Sequence, residues 1–433
     1  MRIDRLHLVN FRCFESRAFD LAERFTLLVG DNGKGKTAVL DALSVGAGAW
    51  LLGIPGAPAR SIHSDEVRRA SYTVGAIGTL EPQTPVLVFC AGSIEGQQIR
   101  WVRGLASVNG RTDRRDAAEV SGLAGRVAQD VQAGRPVPLP VISYYGTGRL
   151  WVQKRQRSTE PFARGSRFRG YVDCLDPASD AKGLLSWFKT YEFSSQQREQ
   201  PVEVLEAVRQ AVITCIPGAS RLYYDPVEND LILEFEGSRL PFHLLSDGYR
   251  NMLAMAADVA YRCAVLNPQF GARAAIDTAG IVMIDEIDLH LHPKWQRIVV
   301  EALLRAFPRI QFVATTHSPY IIQSLDRLDR AALINLDGLS DDVSSKSIED
   351  VSEENQGVDS ERSHRFRAMI AAAEDYFRVL GQAESAPPDE LDRLKNRLDE
   401  LTLPFGEDPA YIAFLNMERA ASRIDERRPD ASG

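Results

Sequence analysis

The pattern of apolar and polar residues predicts an α/β protein in which strands and helices alternate along most of the chain. Residues 1–29 alternate with the two-residue period of strands and end in a continuous apolar run, Phe25 to Val29, which predicts a buried strand. Helical spacing follows directly at Ala38 to Leu43. Repeated alternation of strand and helix predicts a mostly parallel sheet with helices on both faces.

The same patterns predict the remaining elements of the core. Strands are predicted at 72–80, 85–90, 97–102, 138–145, 220–224, 230–235, 281–284 and 311–315. Helices are predicted at 116–133, 179–192, 195–215, 247–266 and 294–306. Turn residues separate the three runs between 72 and 102, so we expect an antiparallel β flank beside the parallel sheet.

Changes in composition along the chain predict five parts. They are residues 1–150 (first part of the core, with the β flank), 151–240 (basic and helical insert), 241–337 (second part of the core), 338–363 (acidic flexible linker) and 364–433 (helical tail). The linker prediction rests on many Ser, Asp, Glu and Gln residues with few apolar ones. We expect the tail to serve assembly or partner docking.

A glycine-rich sequence between the first buried strand and the first helix is the strongest chemical signal. Residues 30–37 read Gly-Asp-Asn-Gly-Lys-Gly-Lys-Thr, the pattern whose backbone N–H groups cradle phosphates. The predicted nucleotide-binding residues are Gly30, Asp31, Asn32, Gly33, Lys34, Gly35, Lys36, Thr37 and Ala38. Lys36 would reach the β- and γ-phosphates, and Thr37 would ligate magnesium. The predicted cofactors are therefore ATP and Mg2+.

Two acids at the end of a later buried strand complete a candidate catalytic set. The apolar run 281–284 ends in Asp285 and Glu286, and an acid in that place can hold the magnesium of a bound nucleotide. We assign Asp285 to the metal and Glu286 to general base catalysis. Such an acid can also simply cap the next helix, but its pairing with a phosphate loop favours the catalytic interpretation.

Two further motifs flank the acid pair. Ser246, Asp247 and Gly248 open a predicted helix and offer a hydroxyl and helix N-terminal amides to an anion. His317 lies in Thr-Thr-His-Ser-Pro after the last predicted core strand. A capping or core histidine is the structural alternative for His317.

Along the chain, the phosphate loop, the Leu-Ser-x-Gly signature motif that contains Ser246, Asp247 and Gly248, the acid pair and His317 follow one another. In this order the four motifs resemble the heads of ABC-type ATPases of the RecF, SMC and Rad50 group. The resemblance covers roughly residues 1–337 and implies that two heads meet face to face. Ser246, Asp247 and Gly248 would then act in trans on the nucleotide of the other head. His317 would contact the γ-phosphate. Arg12, in a segment that resembles the first hairpin of such heads, is also assigned to the nucleotide site.

A narrower resemblance points to the ATPases of bacterial defence loci. Residues 144–151, 245–251 and 284–296 are similar to the PtuA ATPases of Septu and retron antiphage systems. The resemblance implies a homodimer or higher homo-oligomer that works with a separate HNH nuclease partner. One departure is the absence of the glutamine that ABC-type heads carry after the third core strand, since Gln153 is a weak substitute. The alternatives are a RecF-like DNA repair ATPase without a nuclease partner and a nucleotide-bound scaffold that hardly turns over.

Charge limits the nucleic-acid interpretation. The net charge is −8, so contact with DNA requires a local patch or a complex. The candidate patch consists of Arg155, Arg157, Arg164 and Arg167, and a solvated basic face is an equally good interpretation. We expect no intrinsic nuclease, because the residues after 337 show no Toprim pattern of a glutamate and an Asp-x-Asp pair.

The remaining signals concern metals and location. Asp288, His290 and His292 alternate with apolar residues and could face one metal ion, although we favour a place at the contact between heads. The five cysteines have no metal-ligand spacing, which fits a reducing compartment. No apolar run is long enough for a membrane helix, so we expect a cytoplasmic protein without a membrane contact.

Overall fold

The computed structural model describes most of the chain in two compact units, residues 1–357 and 358–433. The described ranges are 1–74, 77–150, 162, 165–177, 187–194, 202–339, 341–342, 346–357, 371–373, 375–376, 378–379, 393–394, 396–398 and 400–401. The described residues of the second unit are helical, and Ala372, Ala373, Tyr376 and Leu398 are buried there. All predicted site residues that can be described lie in the first unit.

Fourteen strands are present in the described residues. They are β1 Arg2–Phe11, β2 Phe14–Asp20, β3 Phe25–Val29, β4 Arg69–Val74, β5 Ile77–Pro82, β6 Val86–Ile94, β7 Gln97–Leu105, β8 Val141–Tyr145, β9 Ala219–Asp225, β10 Asp230–Phe235, β11 Ser238–Pro241, β12 Gly280–Ile284, β13 Ile310–Thr315 and β14 Ala331–Asn335.

The helices alternate with these strands. They are α1 Lys36–Leu51, α2 Ala118–Gln132, α3 over residues 187–194, α4 Glu203–Cys215, α5 Asp247–Leu266, α6 Ala274–Asp277, α7 Pro293–Gln296, α8 Val299–Ala306, α9 Pro319–Ser324 and α10 Ile348–Asp350. Short 3-10 turns lie at Ser64–Glu66, Arg115–Ala117, Thr147–Leu150, Arg167–Tyr171, Phe242–Leu244, Pro268–Arg273 and Leu325–Arg327, and Val351–Asn355 forms one π-helical turn.

The centre of the first unit is a five-stranded parallel sheet in the order β14-β3-β13-β12-β8. Every residue of β3, β8, β12 and β13 is buried, which explains their nearly continuous apolar sequences. An antiparallel sheet in the order β2-β1-β6-β7 forms the β flank, and smaller antiparallel sheets comprise β11-β10-β9 and β4-β5. The predicted α/β fold with a parallel sheet and an antiparallel flank is confirmed.

Helix α1 lies between the two large sheets. It contacts β12 and β13 of the parallel sheet and β1, β6 and β7 of the antiparallel sheet, and it is buried along nearly its whole length. The indole N–H of Trp101 on β7 donates to the carbonyl of Gly46 at 2.9 Å. This double packing fixes the first turn of α1, which directly follows the phosphate loop.

Several elements differ from the sequence-based prediction. The predicted strand 72–80 is a hairpin in which Val74 pairs with Ile77, and the predicted helix 294–306 is divided into α7 and α8. The predicted flexible linker does not fit residues 346–357. Val351, Ser352 and Asn355 are fully buried there, and the side-chain amide of Asn335 donates to the Asn355 carbonyl at 2.6 Å. Polar side chains that bond buried backbone groups order this acidic segment, and composition alone does not reveal them.

The structure also contains elements that the sequence patterns did not predict, namely β11, α6, α9, β14 and α10. Within the described residues, no helix combines the length and apolar composition needed to cross a bilayer. The predicted helix 179–192 falls partly outside the described residues, and residues 364–370 and 402–433 of the predicted tail lie outside them entirely.

Candidate functional site

The phosphate loop connects the end of β3 to the start of α1, as its glycine pattern predicts. Gly30, Gly33 and Gly35 all have positive φ angles, of 145°, 82° and 95°, which favour glycine. A Cβ atom on Gly35 would lie 2.5 Å from the sulfur of Cys13 and 2.6 Å from the ring of Phe14. The tip of the β1–β2 hairpin therefore packs directly against the loop, and a larger residue at 35 would displace one or the other.

Lys36, the first residue of α1, turns its amine back onto the loop. Its Nζ donates to the carbonyls of Gly30 at 2.6 Å and Asp31 at 3.1 Å. Burial lowers the pKa of Lys36, while the carboxylates of Asp337, Asp285, Glu286 and Asp31 raise it. The amine is thus bonded to neutral carbonyls that phosphate oxygens could replace, and four carboxylates act on it electrostatically.

A chain of hydroxyl and carboxylate groups joins the first turn of α1 to the ends of two neighbouring strands. The Thr37 hydroxyl donates to Asp285, 3.0 Å from Oδ2, and the Thr315 hydroxyl donates to Oδ1 of the same carboxylate at 2.7 Å. The Glu286 backbone N–H donates to the Thr315 oxygen at 2.7 Å. Asp285 is only 5% exposed. A hydroxyl and a carboxylate oxygen are ligands that Mg2+ prefers, so Thr37 and Asp285 fit the predicted metal.

Glu286 follows Asp285 in a left-handed backbone conformation, with φ of 48°. This conformation is uncommon for a residue other than glycine and is found at sites that the surrounding structure holds in place. Two backbone bonds hold it, because the Asp285 N–H donates to the Tyr145 carbonyl at 2.8 Å and the Ile287 N–H donates to the Thr315 carbonyl at 2.9 Å. The turn places two acids at the same end of the parallel sheet as the phosphate loop.

His317 follows β13 at this end of the sheet and is exposed. Its neighbours are firmly held. The Thr316 hydroxyl donates to Asp288 at 2.5 Å, and the Ser318 hydroxyl donates to the Gln296 side chain at 2.6 Å. The backbone carbonyl of His317 accepts a hydrogen bond from the Gln356 side chain at 2.8 Å. An anchored backbone with an exposed ring leaves the imidazole accessible to a ligand.

The predicted signature residues begin α5. Ser246 is the exposed N-terminal capping residue, and a Cβ atom on Gly248 would lie 2.5 Å from the carbonyl oxygen of His290. The Asn251 side chain donates to the Leu289 carbonyl at 3.1 Å. Among the described residues, no hydrogen bond or ion pair joins Ser246, Asp247 or Gly248 to the phosphate loop of the same chain.

Two adjacent tyrosines at the end of β8 link the phosphate-loop helix to the signature helix. The Tyr144 hydroxyl donates to Asp41 of α1 at 3.2 Å, and the Tyr145 hydroxyl donates to Asp258 of α5 at 2.7 Å. Successive side chains of a strand point to opposite faces, so α1 and α5 cover opposite faces of the parallel sheet. Both tyrosines are buried, and burial raises the pKa of each hydroxyl. Nothing in the local sequence pattern predicted these long-range bonds.

We expect Tyr145→Phe to lower the free energy of unfolding by about 1 kcal/mol, because it removes one buried hydrogen bond. Asp258 keeps its ion pair with Arg262 at 2.8 Å, so no acid is left without a partner. Chemical denaturation measures the change. Tyr223→Phe, at a partly exposed tyrosine of β9, is the matched control and should stay within about 0.5 kcal/mol of the parent. Equal losses in the two variants would contradict the assignment.

Arg12 lies at the tip of the β1–β2 hairpin within a cluster of buried acids. Its guanidinium is 2.6 Å from Asp41 and 3.4 Å from Glu66, and Arg60 pairs with the same two acids at 3.0 and 2.8 Å. Burial raises the pKa of Asp41, and Arg60 and Arg12 oppose that shift. Arg12 therefore ties the hairpin to α1, and its side chain remains 36% exposed beside the loop.

The proposed basic patch is not supported by the one member that can be described. Arg155, Arg157 and Arg164 lie outside the described residues. The guanidinium of Arg167 donates to the carbonyls of Leu266 and Val137 at 2.7 and 2.6 Å. Arg167 thus fastens its segment to the protein, which differs from the prediction of a cation facing nucleic acid.

Asp288, His290 and His292 are engaged separately. Asp288 accepts from Thr316, and Nδ1 of His292 accepts the N–H of Lys294 at 3.2 Å as the cap of α7. The carbonyl of His290 lies against Gly248. No group of three or more potential metal-binding side chains occurs within the described ranges. These contacts favour a packing role at the start of α5.

Sequence reasoning also missed Asp337, which follows β14. Its Oδ2 accepts the backbone N–H of Asp31 at 2.7 Å, and its Oδ1 lies 3.2 Å from the amine of Lys34. The available signal was an apolar run ending in Asp-Gly, residues 331–338, which parallels the run that ends at Asp285. The sequence analysis places these residues at the end of the second part of the core, 241–337, but predicts no strand and no site residue among them.

Comparisons with known proteins agree with this geometry. A family model described as "AAA domain" matches residues 5–216, and a second described as "AAA domain, putative AbiEii toxin, Type IV TA system" matches residues 221–323. The retron Ec83 probable ATPase of Escherichia coli is 26% identical, covering 75% of this chain and 70% of that protein. The Septu protein PtuA of Bacillus mycoides is 40% identical over 101 residues, covering 23% of this chain and 13% of that protein.

Among solved structures, an SMC head bound to the C-terminal winged-helix domain of ScpA is 17% identical. The match covers 77% of this chain and 94% of the SMC head chain, with a TM-score of 0.45. The two AAA domain matches include both the phosphate loop and the acid pair, which the fold brings to one end of the parallel sheet. The chain is therefore an ATPase with two matches to AAA-domain models, and it is a homologue of the retron ATPases and Septu PtuA.

Proposed function

We propose that this chain is the ATPase subunit of a cytoplasmic antiphage defence system, in which the state of its nucleotide controls a separate HNH nuclease. The observation that supports the catalytic part is the chain of contacts Thr37–Asp285–Thr315–Glu286 beside Lys36. The similarity to retron ATPases and PtuA supports the defence role.

In the proposed reaction, each residue has a separate task. Glu286 positions and deprotonates the water that attacks the γ-phosphate in line, while Lys36 and His317 stabilise the charge that develops on the phosphoryl oxygens. Thr37 and Asp285 would hold Mg2+, which supplies further charge neutralisation when bound. The backbone bonds around Glu286 fix the main chain from which its carboxylate extends.

The signature helix supports a site that two copies share. Ser246 is exposed, and Leu244 just before it is 67% exposed although it is a large apolar residue. An exposed helix start with an adjacent apolar side chain is a surface that a second copy could cover. We propose that two chains meet face to face, with the nucleotide of one contacting Ser246 and Gly248 of the other.

Mass photometry with ATP and Mg2+ tests this proposal. We expect the purified chain to form dimers or larger assemblies with nucleotide, and to form a stable complex with an HNH protein encoded beside it. A mass distribution unchanged by ATP would contradict the shared site. Assembly without binding of the neighbouring protein, together with DNA-stimulated hydrolysis, would favour the repair ATPase alternative.

A further inference from the structure

Asp337 brings a carboxylate to the phosphate loop from the edge of the parallel sheet. Strand β14 pairs with β3 in parallel, and the ladder continues because the Leu336 N–H donates to the Val29 carbonyl at 2.9 Å. The two strands therefore end side by side, β3 at the loop and β14 at Asp337. The Asp337 N–H donates to the Asn335 side chain at 2.9 Å, which fixes the turn after the strand.

The carboxylate and Lys36 hold the same part of the loop from two sides. Asp337 accepts the N–H of Asp31 at 2.7 Å, and Lys36 donates to the carbonyl of Asp31 at 3.1 Å. A Cβ atom on Gly30 would lie 3.1 Å from Asp337 Oδ2, so the glycine permits this close approach. The Asp337 side chain is only 10% exposed. The first turn of the loop is thus held by Asp337 on one side and by Lys36 on the other.

The charge of Asp337 has a consequence that a neutral clamp would not have. The amine of Lys34 lies 3.2 Å from its Oδ1, and among the acids that raise the pKa of Lys36 it has the largest effect. Both lysines belong to the loop that binds phosphates. A buried negative charge here partly cancels the positive electrostatic potential of the two lysines, and it repels a polyphosphate.

We propose that Asp337 is a positioning residue of the ATPase that holds the first peptide of the phosphate loop and lowers its affinity for nucleotide through its charge. The inference rests on the proposed function, since it requires that the loop bind a nucleoside polyphosphate. The effect depends on the charge of the ligand, so it is larger for a triphosphate than for a diphosphate.

The test compares Asp337→Asn with the parent by calorimetric titration of AMP-PNP and ADP with Mg2+. The amide oxygen of Asn can still accept the Asp31 N–H, so the main change is the lost charge. We expect about threefold to tenfold tighter binding of AMP-PNP, a smaller gain for ADP, and gains that shrink between low and high salt. Asp337→Glu keeps the charge and should not bind more tightly than the parent.

Asp329→Asn is the matched control, because Asp329 is an exposed acid that precedes the other end of β14. It should leave both affinities unchanged. Unchanged or weaker AMP-PNP binding by Asp337→Asn, or a gain that high salt does not reduce, would overturn the inference while leaving the proposed ATPase intact. A parent protein that binds neither nucleotide would overturn the proposed function and the inference together.

Hydrogen exchange of the unmodified chain gives a second test that no substitution can disturb. We expect the Asp31 amide to be protected without nucleotide, since Asp337 occupies it. Free exchange at Asp31 would show that the clamp does not form, and the inference would fail.

Discussion

Replacing Glu286 with Gln is expected to lower kcat for ATP hydrolysis by about 10²- to 10³-fold, because the amide cannot accept the proton of the attacking water. Gln has the shape of Glu, and the bonds that hold this residue involve the backbone, from Glu286 N–H to Thr315 and from Ile287 N–H to the Thr315 carbonyl. The loop and the Asp285 carboxylate should stay in place. ATP should therefore remain bound, and dimers or larger assemblies should accumulate.

A phosphate-release assay measures the hydrolysis, and mass photometry measures the assemblies. Glu301→Gln is the matched control. Glu301 is 66% exposed on α8, and its replacement removes the same charge as the replacement of Glu286. It should hydrolyse ATP at the parental rate. A parental rate in the Glu286 variant would show that another group activates the water. Loss of ATP binding in that variant would show that Glu286 supports the loop instead.

Lys36→Ala is expected to weaken ATP binding at least about 100-fold, equivalent to roughly 3 kcal/mol. Among the residues that the structure describes, this lysine is the one cation placed both at the start of α1 and against the loop carbonyls of Gly30 and Asp31. It is 8% exposed, so its bonds to phosphate oxygens would form away from bulk water, where charge-assisted hydrogen bonds are strong. The rate of ATP hydrolysis should fall along with the affinity for ATP.

Fluorescence titration with a labelled ATP analogue measures this affinity. Lys189→Ala is the control, since Lys189 is exposed on α3 and donates to Asn229, in the turn between β9 and β10. Its removal should leave the affinity unchanged. An affinity for the Lys36 variant within threefold of the parent would contradict the assignment of residues 30–37 to the phosphates.

The sequence was most informative where function is encoded in neighbouring residues. Glycines at 30, 33 and 35 followed by Lys36 need only a strand before them and a helix after them. The strand is marked by a continuous apolar run, and the helix is marked by helical spacing at Ala38 to Leu43. The acid pair after β12 was found for the same reason. The identity of the chain as an ATPase followed from these local patterns, and the comparisons confirm it.

The parts that could not be predicted depend on residues far apart in sequence. Asp337 is 306 positions from the Asp31 N–H that it accepts, and Tyr145 is 113 positions from Asp258. Strand β14 has only five residues, and only two of them are buried, so its sequence carries little of the apolar pattern that predicts a strand. Arg167 looked like part of a basic surface because composition does not show that backbone carbonyls surround its guanidinium.

Because of the tyrosine pair at the end of β8, the function of the site depends on which face of the sheet each residue of that strand points to. Tyr144 and Tyr145 face opposite layers because they are consecutive residues of one strand. Deleting a single residue of the segment Val141–Ser143 would exchange the faces to which the Tyr144 and Tyr145 side chains point. Each hydroxyl would then face the helix that now bonds the other. The hydrogen bond to the phosphate-loop helix and the hydrogen bond to the signature helix would then be lost at the same time, although every residue of both motifs would still be present.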